Sequence, residues 1–295
     1  MDAMISYLIP SYNHENYLPM LLECIRLDSE YLTVPAEVIL VDDGSSDDSP
    51  SIIKKWTEAN KEHLKVVYLL QKNKGLPAVL NQMIEMAKGE YLRLCASDDI
   101  ITPGSTQKLY KQFKVYPNLL CALADGNVIN KEGRIIHQSS IAFHRGTIKR
   151  LKEPDLLVKE LIQHWCVAGP THLIKKSHYN TMRYDETCAI DDYDLFLSLL
   201  EIPNSIIFIN DSVCSYRIHS TNTSKTKNVM QRIENIKFFL NIVERYINKG
   251  ILVKYLLQVK YRSRAKIYFL QKKYVRCFFI MCISLFFQVT SELQN

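Results

Sequence analysis

Two hydrophobic rhythms alternate over the first hundred residues. Short continuous apolar runs occur in SYLIPSYN (6–13), AEVILVDD (36–43), LKVVYLL (64–70) and EYLRLCA (90–96), and each predicts a buried strand. Between them the spacing turns helical. Leu18, Leu21, Leu22 and Ile25 share one face, a second helix runs through Trp56 with Asp47 or Asp48 as its cap, and a third lies within 73–89 with Gly89 as its stop. Continuous apolar strands alternating with helices predict a parallel α/β sheet covered on both faces.

Past residue 105 the order loosens. A helix at 105–115 ends before Pro117, 119–130 reads as strand and turn, and 165–177 as a loop entering a strand. An amphipathic helix at 191–201 opens with acids, and 205–219 is strand-rich. Polar STNTSKTKN (220–228) reads as a linker, and 229–290 as helical and basic.

In such sheets ligands bind beyond the carboxyl ends of the strands. Two acid pairs, Asp42–Asp43 and Asp98–Asp99, follow such ends and are expected to converge on one cleft. Adjacent carboxylates beside a core repel each other. A Mg²⁺ or Mn²⁺ ion cancels that repulsion, and phosphate oxygens can complete its shell. Capping and turn formation explain one such pair as readily as a metal does.

Composition narrows the picture. The chain has 295 residues, 47% hydrophobic and 23% charged, an ordinary globular balance. Its eight cysteines form no C-x-x-C pair and lie in apolar runs, so they are expected reduced, as in a cytosolic protein. MDAMISYLIPSYN lacks the features of a signal peptide. The longest apolar candidate, Cys277 to Phe287, is too short to span a bilayer. Residues 245–295 hold ten Lys or Arg against one acid, Glu292, so the net charge of +6 belongs to the tail. Tail helices of this kind can pack on the main domain or lie on anionic lipid, and both readings stand. Nothing resembles a nucleic-acid-binding module.

Five pieces in order, YLIPSYNHENYL, VILVDDGSSDDS, NKGLPAVLNQMIEMAKGEYLRLCASDD, IDDYDLFLSLL and YRIHSTNTS, resemble family 2 glycosyltransferases, the inverting enzymes of GT-A fold. The resemblance covers about residues 4–224 and is greatest to bacterial enzymes that build capsule, O-antigen and other surface polysaccharides. It implies a three-layer α/β/α sandwich with a mostly parallel sheet over 1–224, and a basic helical extension over 225–295.

The resemblance also implies roles. Pro10 and Tyr12 line the nucleotide base, Asp43 recognises uracil or ribose, and Ser97 and Asp98 face the nucleotide sugar. Asp99 and His219 hold Mn²⁺ or Mg²⁺, and Asp192 is the catalytic base. Trp165 and His172 fall where relatives place part of the acceptor pocket. Many relatives read D-x-D-D where this chain has Ala96-Ser97-Asp98-Asp99; the first acid is absent, and the metal stays with Asp99. Asp191, Asp192 and Asp194 could equally be acids favoured by a helix N-terminus.

The implied activity is metal-assisted transfer from a nucleotide sugar, expected to be a UDP-sugar, to a glycan or lipid-linked glycan. It would take place in the cytoplasm, with peripheral contact between residues 245–288 and the inner face of the cell membrane. A nucleotidyltransferase of related fold is the first rival, although PSYNHENYL carries no glycine or lysine for a phosphate loop. A non-catalytic glycan-binding protein is the second.

Overall fold

Alternate residues of each central strand enter two different cores. Ile5, Tyr7 and Ile9 of β1 (Ile5–Ser11) and Val38 and Leu40 of β2 (Ala36–Asp42) pack on one side, while Leu8, Ile39 and Val41 pack on the other. This is what continuous apolar strands require, because successive side chains leave opposite faces. The computed structural model describes residues 3–187, 192–219 and 228–293.

The first core is closed by α1 (Leu18–Ser29), α2 (Ser49–Asn60) and, further along, α4 (Ser105–Val115). The second is closed by α3 (Leu76–Met86) and by helices from later in the chain. β3 (Lys65–Leu70), β2, β1 and β4 (Tyr91–Leu94) are parallel neighbours, with Ser11 opposite Asp42 at the carboxyl end.

The sheet then changes direction. β5 (Ile100–Ile101), β6 (Cys121–Ile129) and β7 (Ile135–His137) are followed by α5 (Ser140–Phe143), α6 (Ile148–Leu151) and α7 (Pro154–His164). β8 (His172–Lys175) inserts antiparallel between β4 and β6, and β9 (Ile206–Arg217) runs parallel to β6 after α8 (Asp192–Leu200). The sheet order is β3-β2-β1-β4-β8-β6-β9-β5, with β7 on β6. The pairing of β5 with β9 delivers the chain after Arg217 to the end of β4, where Asp98 and Asp99 lie.

Three helices finish the chain: α9 (Val229–Asn248), α10 (Val253–Leu270) and α11 (Tyr274–Leu293). Val243 and Tyr246 of α9 and Leu256 and Val259 of α10 share the second core with Leu161, Tyr193 and Phe196. The two helices therefore complete the core of the main domain. The boundary expected at residue 224 lies outside the described residues.

α3 stops at Met86, where Ala87 turns extended, so Gly89, the expected stop, lies beyond the helix end and is held against β1. A Cβ there would sit 2.5 Å from Ser6 Oγ and 2.7 Å from the Ser6 backbone nitrogen. Its N–H donates to Ser6 Oγ at 2.9 Å, and Ser6 Oγ donates to the buried Glu37 carboxylate at 2.8 Å. Gly89→Ala must push β1 away from the 87–89 turn. It is expected to cost about 1–3 kcal/mol, read as a lower denaturant midpoint at unchanged slope. Wild-type stability in that variant would show that the turn can yield.

Candidate functional site

The loop after β1 is tied at two points to the segment after β2. The Asn13 N–H donates to Ser45 Oγ at 2.8 Å, and Ser45 Oγ donates to Asp42 at 2.6 Å. The Asp47 carboxylate accepts from the Glu15 N–H at 2.9 Å and from the Ser49 N–H at 3.0 Å. Asp47, rather than Asp48, is thus the acid that serves the start of α2. Asn13 has φ of 53°, a left-handed turn that asparagine tolerates and that reverses the chain toward α1. Pro10 is partly buried on β1 opposite Val41, and Tyr12 is exposed at the loop start.

Asp43 is buried and saturated by the loop after β3. It accepts from Gln71 Nε2, the Lys74 N–H and the Gly75 N–H, each at 2.9 Å. Gly44 passes under that loop with φ of 83°, and a Cβ there would lie 2.9 Å from Asn73 N. Asp43 therefore shapes the 71–75 loop. The backbone donors of Lys74 and Gly75, which could equally have served a phosphate, are turned to Asp43.

The second acid pair is divided between two environments. Asp98 Oδ2 lies 2.8 Å from His219 Nε2. His14 Nδ1 lies 2.7 Å from the hydroxyl of buried Ser97. The His14 and His219 rings are 5.8 Å apart edge to face, and Tyr17 stacks on His219 at 5.3 Å. One ligating atom from each of His14, Asp98 and His219 falls within 4.8 Å of the others. Burial lowers the His14 pKa against the opposing pull of Asp98, so the ring is neutral at neutral pH. Burial alone would raise the Asp98 carboxyl; the hydrogen bond from His219 and the nearby His14 hold it below the usual carboxylate range.

Asp99 does not join this group. Its carboxylate is 2% exposed and accepts the Arg217 N–H at 2.7 Å. Burial, and then the charge of Asp98, push its pKa well above the ordinary value. Arg217 holds both acids in register. Its Nε donates to the Asp98 carbonyl at 2.7 Å, Nη1 reaches the Asn130 and Lys131 carbonyls at 3.1 and 3.2 Å, and its guanidinium lies 4.7 Å over the Tyr17 ring. The expectation put Asp99 beside His219; the geometry puts Asp98 there, because the chain turns between β4 and β5, with the Asp99 N–H on the Ala96 carbonyl at 3.0 Å, and Arg217 draws the Asp99 carboxylate inward. Sequence reasoning passed over His14 and Tyr17. The available signal was their position in the loop of Tyr12, at the end of a strand adjacent to β4.

Two expected acceptor residues separate. Trp165 is partly buried and sets its ring against Tyr193 at 5.3 Å and Phe196 at 5.1 Å. His172 is 2% exposed and faces Phe196 within the core, where burial and then the charge of Arg93 lower its pKa to about 3. It is a neutral core residue on a central strand and offers no surface to an acceptor. Asp192 begins α8 and is partly exposed. Asp194 is structural, since it pairs with Arg245 and accepts from the Tyr246 hydroxyl at 2.9 Å, tying α8 to α9. Asp191 lies outside the described residues.

The comparisons agree with this architecture. The chain is 29% identical to the glycosyltransferase GlyG of Streptococcus pneumoniae serotype 4 over 77% of its length and 75% of that protein. It is 27% identical to an Escherichia coli chondroitin synthase over 79% of its length, but spans only 32% of that longer protein. The structure superposes on S. aureus TarS 1-349 in complex with UDP-GlcNAc with a TM-score of 0.63 and 20% identity, covering 90% of this chain and 72% of that one. It superposes on the mannosyltransferase PcManGT of Pyrobaculum calidifontis, in complex with GDP-Man and Mn2+, with a TM-score of 0.61 and 14% identity, covering 99% and 75%. These likenesses establish the GT-A fold. Residues 6–182, which carry the loop of His14, both acid pairs and β8, match the family described as Glycosyl transferase family 2, and the chain is a member of that glycosyltransferase family.

Proposed function

We propose that this glycosyltransferase moves a sugar with inversion from a UDP-sugar to a glycan or lipid-linked glycan during assembly of a bacterial surface polysaccharide. The observation that carries the reading is the gathering of His14, Asp98 and His219 at the strand ends. Two imidazoles and a carboxylate suit Mn²⁺, with Mg²⁺ a poorer match, so the donor set fits the cation that the family implies. Metal-ligating histidines must be neutral, and burial keeps His14 so. We assign the ligands as His14, Asp98 and His219, with Asp99 and Arg217 as the buried support that aims Asp98. A bound cation there would neutralise charge on the leaving diphosphate.

The remaining roles belong to the chain itself. Tyr12, exposed beside Pro10, offers a face for the base. Asp43 holds the 71–75 loop against the same site. Asp192 takes the proton from the acceptor hydroxyl as the bond to the anomeric carbon forms. The UDP-GlcNAc-bound TarS structure and the Mn2+-bound PcManGT structure support the reading by shared fold. Transfer from UDP-sugars, followed as UDP release, should require Mn²⁺ and cease in EDTA. Release of pyrophosphate in place of UDP would point to a nucleotidyltransferase, and inertness toward all nucleotide sugars to a binding protein.

The tail carries the proposed membrane contact. No described helix is long and apolar enough to cross a membrane. Yet α11 has no charged residue between Arg276 and Glu292, and packs by Ser284 and Phe287 against Gln258 and Tyr261 of α10. The rest of its surface is open: Phe278 is 67% and Phe286 61% exposed, with Val275, Phe279, Cys282, Leu285 and Val289 on the same helical stripe. Lys272, Lys273 and Arg276 flank the stripe. An apolar stripe beside a basic flank fits an anionic bilayer surface, whereas like charge opposes pairing with a second copy. Phe278→Ser with Phe286→Ser should abolish sedimentation with phosphatidylglycerol vesicles, and high salt should weaken the parent. Failure of the parent chain to bind such vesicles at low salt would leave α11 without this role.

A further inference from the structure

Tyr17 stands where a helix start would use a capping side chain. It is the N-cap residue of α1, and its side chain makes no capping hydrogen bond. Serine, threonine, aspartate or asparagine would serve that position better, and a residue that breaks a local preference points to work elsewhere. That work is not in the interior. The next residue, Leu18, is fully buried in the first core, whereas Tyr17 is half-buried and belongs to neither core.

What the ring touches is the candidate site. The Arg217 guanidinium lies 4.7 Å from its centroid, the His219 ring stacks on it at 5.3 Å with 28° between the planes, and His14 meets it edge to face at 6.0 Å. Arg217 is the last paired residue of β9, opposite Ile129, and the Ile218 N–H still reaches the Ile129 carbonyl at 2.9 Å. His219 lies past that bond, where the sheet no longer sets its direction. Its Nε2 bonds Asp98 Oδ2 at 2.8 Å, but these are two of the groups read as ligands, and a cation between them would displace that bond. The stack on Tyr17 engages the face of the imidazole and leaves its nitrogens free for other work.

We propose that Tyr17 is a positioning residue for the cation site: its ring clips Arg217 and His219, at the exit of β9, to the start of α1, and so holds the His219 imidazole beside Asp98. The proposal rests on the reading of His14, Asp98 and His219 as the ligands. The chemistry asks for an aromatic ring and not merely for bulk. A guanidinium is drawn to the negative face of the ring, and the imidazole gains from stacking on it. Leucine fills similar space and offers neither, whereas phenylalanine offers both. Contacts that orient a ligating histidine from behind change metal affinity by about 10–100-fold.

The test titrates the full chain with Mn²⁺ in the presence of UDP, and with UDP in EDTA, for the parent, Y17F, Y17L, H219A and Y17L/H219A. The His219 ring protons, identified by their loss in H219A, are followed by NMR in EDTA. Tyr17 supplies no cap, so leucine removes none and the start of α1 is kept. Y17L should bind Mn²⁺ about 10–100-fold more weakly, with UDP affinity in EDTA unchanged, and Y17F should match the parent. Stacking should hold the His219 ring protons upfield in the parent and in Y17F, and Y17L should release them. In the H219A background Y17L should add little, because its effect passes through His219. Parent-like Mn²⁺ affinity in Y17L overturns the proposal, as does a Y17F that behaves like Y17L, or a Y17L effect that persists in full without His219. Unaltered Mn²⁺ affinity in H219A refutes His219 as a ligand, and the ring signal then decides the clip alone.

Discussion

Asp98→Ala removes the stimulation of UDP binding by Mn²⁺ and lowers glycosyl transfer by about 10²–10⁴-fold, the several kcal/mol of charge neutralisation at about 1.36 kcal/mol per decade. The expectation rests on Asp98 being the carboxylate beside both His14 and His219. Its neighbour supplies the control. Asp99 is buried, its carboxyl pushed toward the neutral form, and its oxygen accepts the Arg217 N–H. Asn presents the same accepting oxygen, so Asp99→Asn should keep the Mn²⁺ stimulation. His14→Ala should reduce Mn²⁺ affinity without changing UDP affinity in EDTA. Acid should weaken Mn²⁺ binding only as the histidines protonate, which for His14 lies below the ordinary value of about 6.5. Calorimetry of UDP with and without Mn²⁺ across the three variants decides it. Full stimulation in Asp98→Ala with loss in Asp99→Asn would return the cation to Asp99.

Much of this arrangement was legible in the chain. Continuous apolar runs with helical segments between them give the parallel half β3-β2-β1-β4, because a strand buried on both faces, as β2 and β1 are, has no polar side to show; β3, expected buried, is instead the edge strand, with Val67 and Tyr68 exposed. Both acid pairs do lie at strand ends, and the loop of His14 is bonded toward each of them. Three things were not legible. Which of two adjacent acids faces the cleft depends on the turn after β4, where Arg217, more than a hundred residues later, bonds the Asp98 carbonyl and the Asp99 carboxylate. Whether His172 faces solvent depends on β8 inserting between β4 and β6, a non-local pairing. The reach of the main core into α9 and α10 depends on which residues of a mixed basic and apolar tail turn inward; Val243, Tyr246, Leu256 and Val259 do, while the stripe on α11 does not. Local periodicity reports a helix, not the body against which it docks.

Asp192→Asn separates chemistry from helix capping. Asparagine and aspartate serve a helix start comparably, so an acid that only favours the first turn of α8 can be replaced at little cost. Neighbouring residues tie that turn to the rest of the domain: Asp194 pairs with Arg245 and takes the Tyr246 hydroxyl, and Tyr193 bonds the Ile162 carbonyl. Asp194→Asn should therefore show in stability, since it leaves the partly buried Arg245 without its carboxylate. Asp192→Asn should show in turnover alone. As the base, Asp192 must accept the acceptor proton while the bond to the anomeric carbon forms, and the amide cannot. Turnover should fall by roughly 10²–10⁴-fold, the usual worth of a positioned general base, at nearly unchanged UDP-sugar affinity and thermal midpoint. The pattern differs from Asp98→Ala, which loses nucleotide affinity in Mn²⁺ as well. Glycosyl transfer, UDP-sugar affinity and melting measured side by side distinguish the three. Near-normal transfer by Asp192→Asn would exclude it as the base and return the acids of α8 to the helix end.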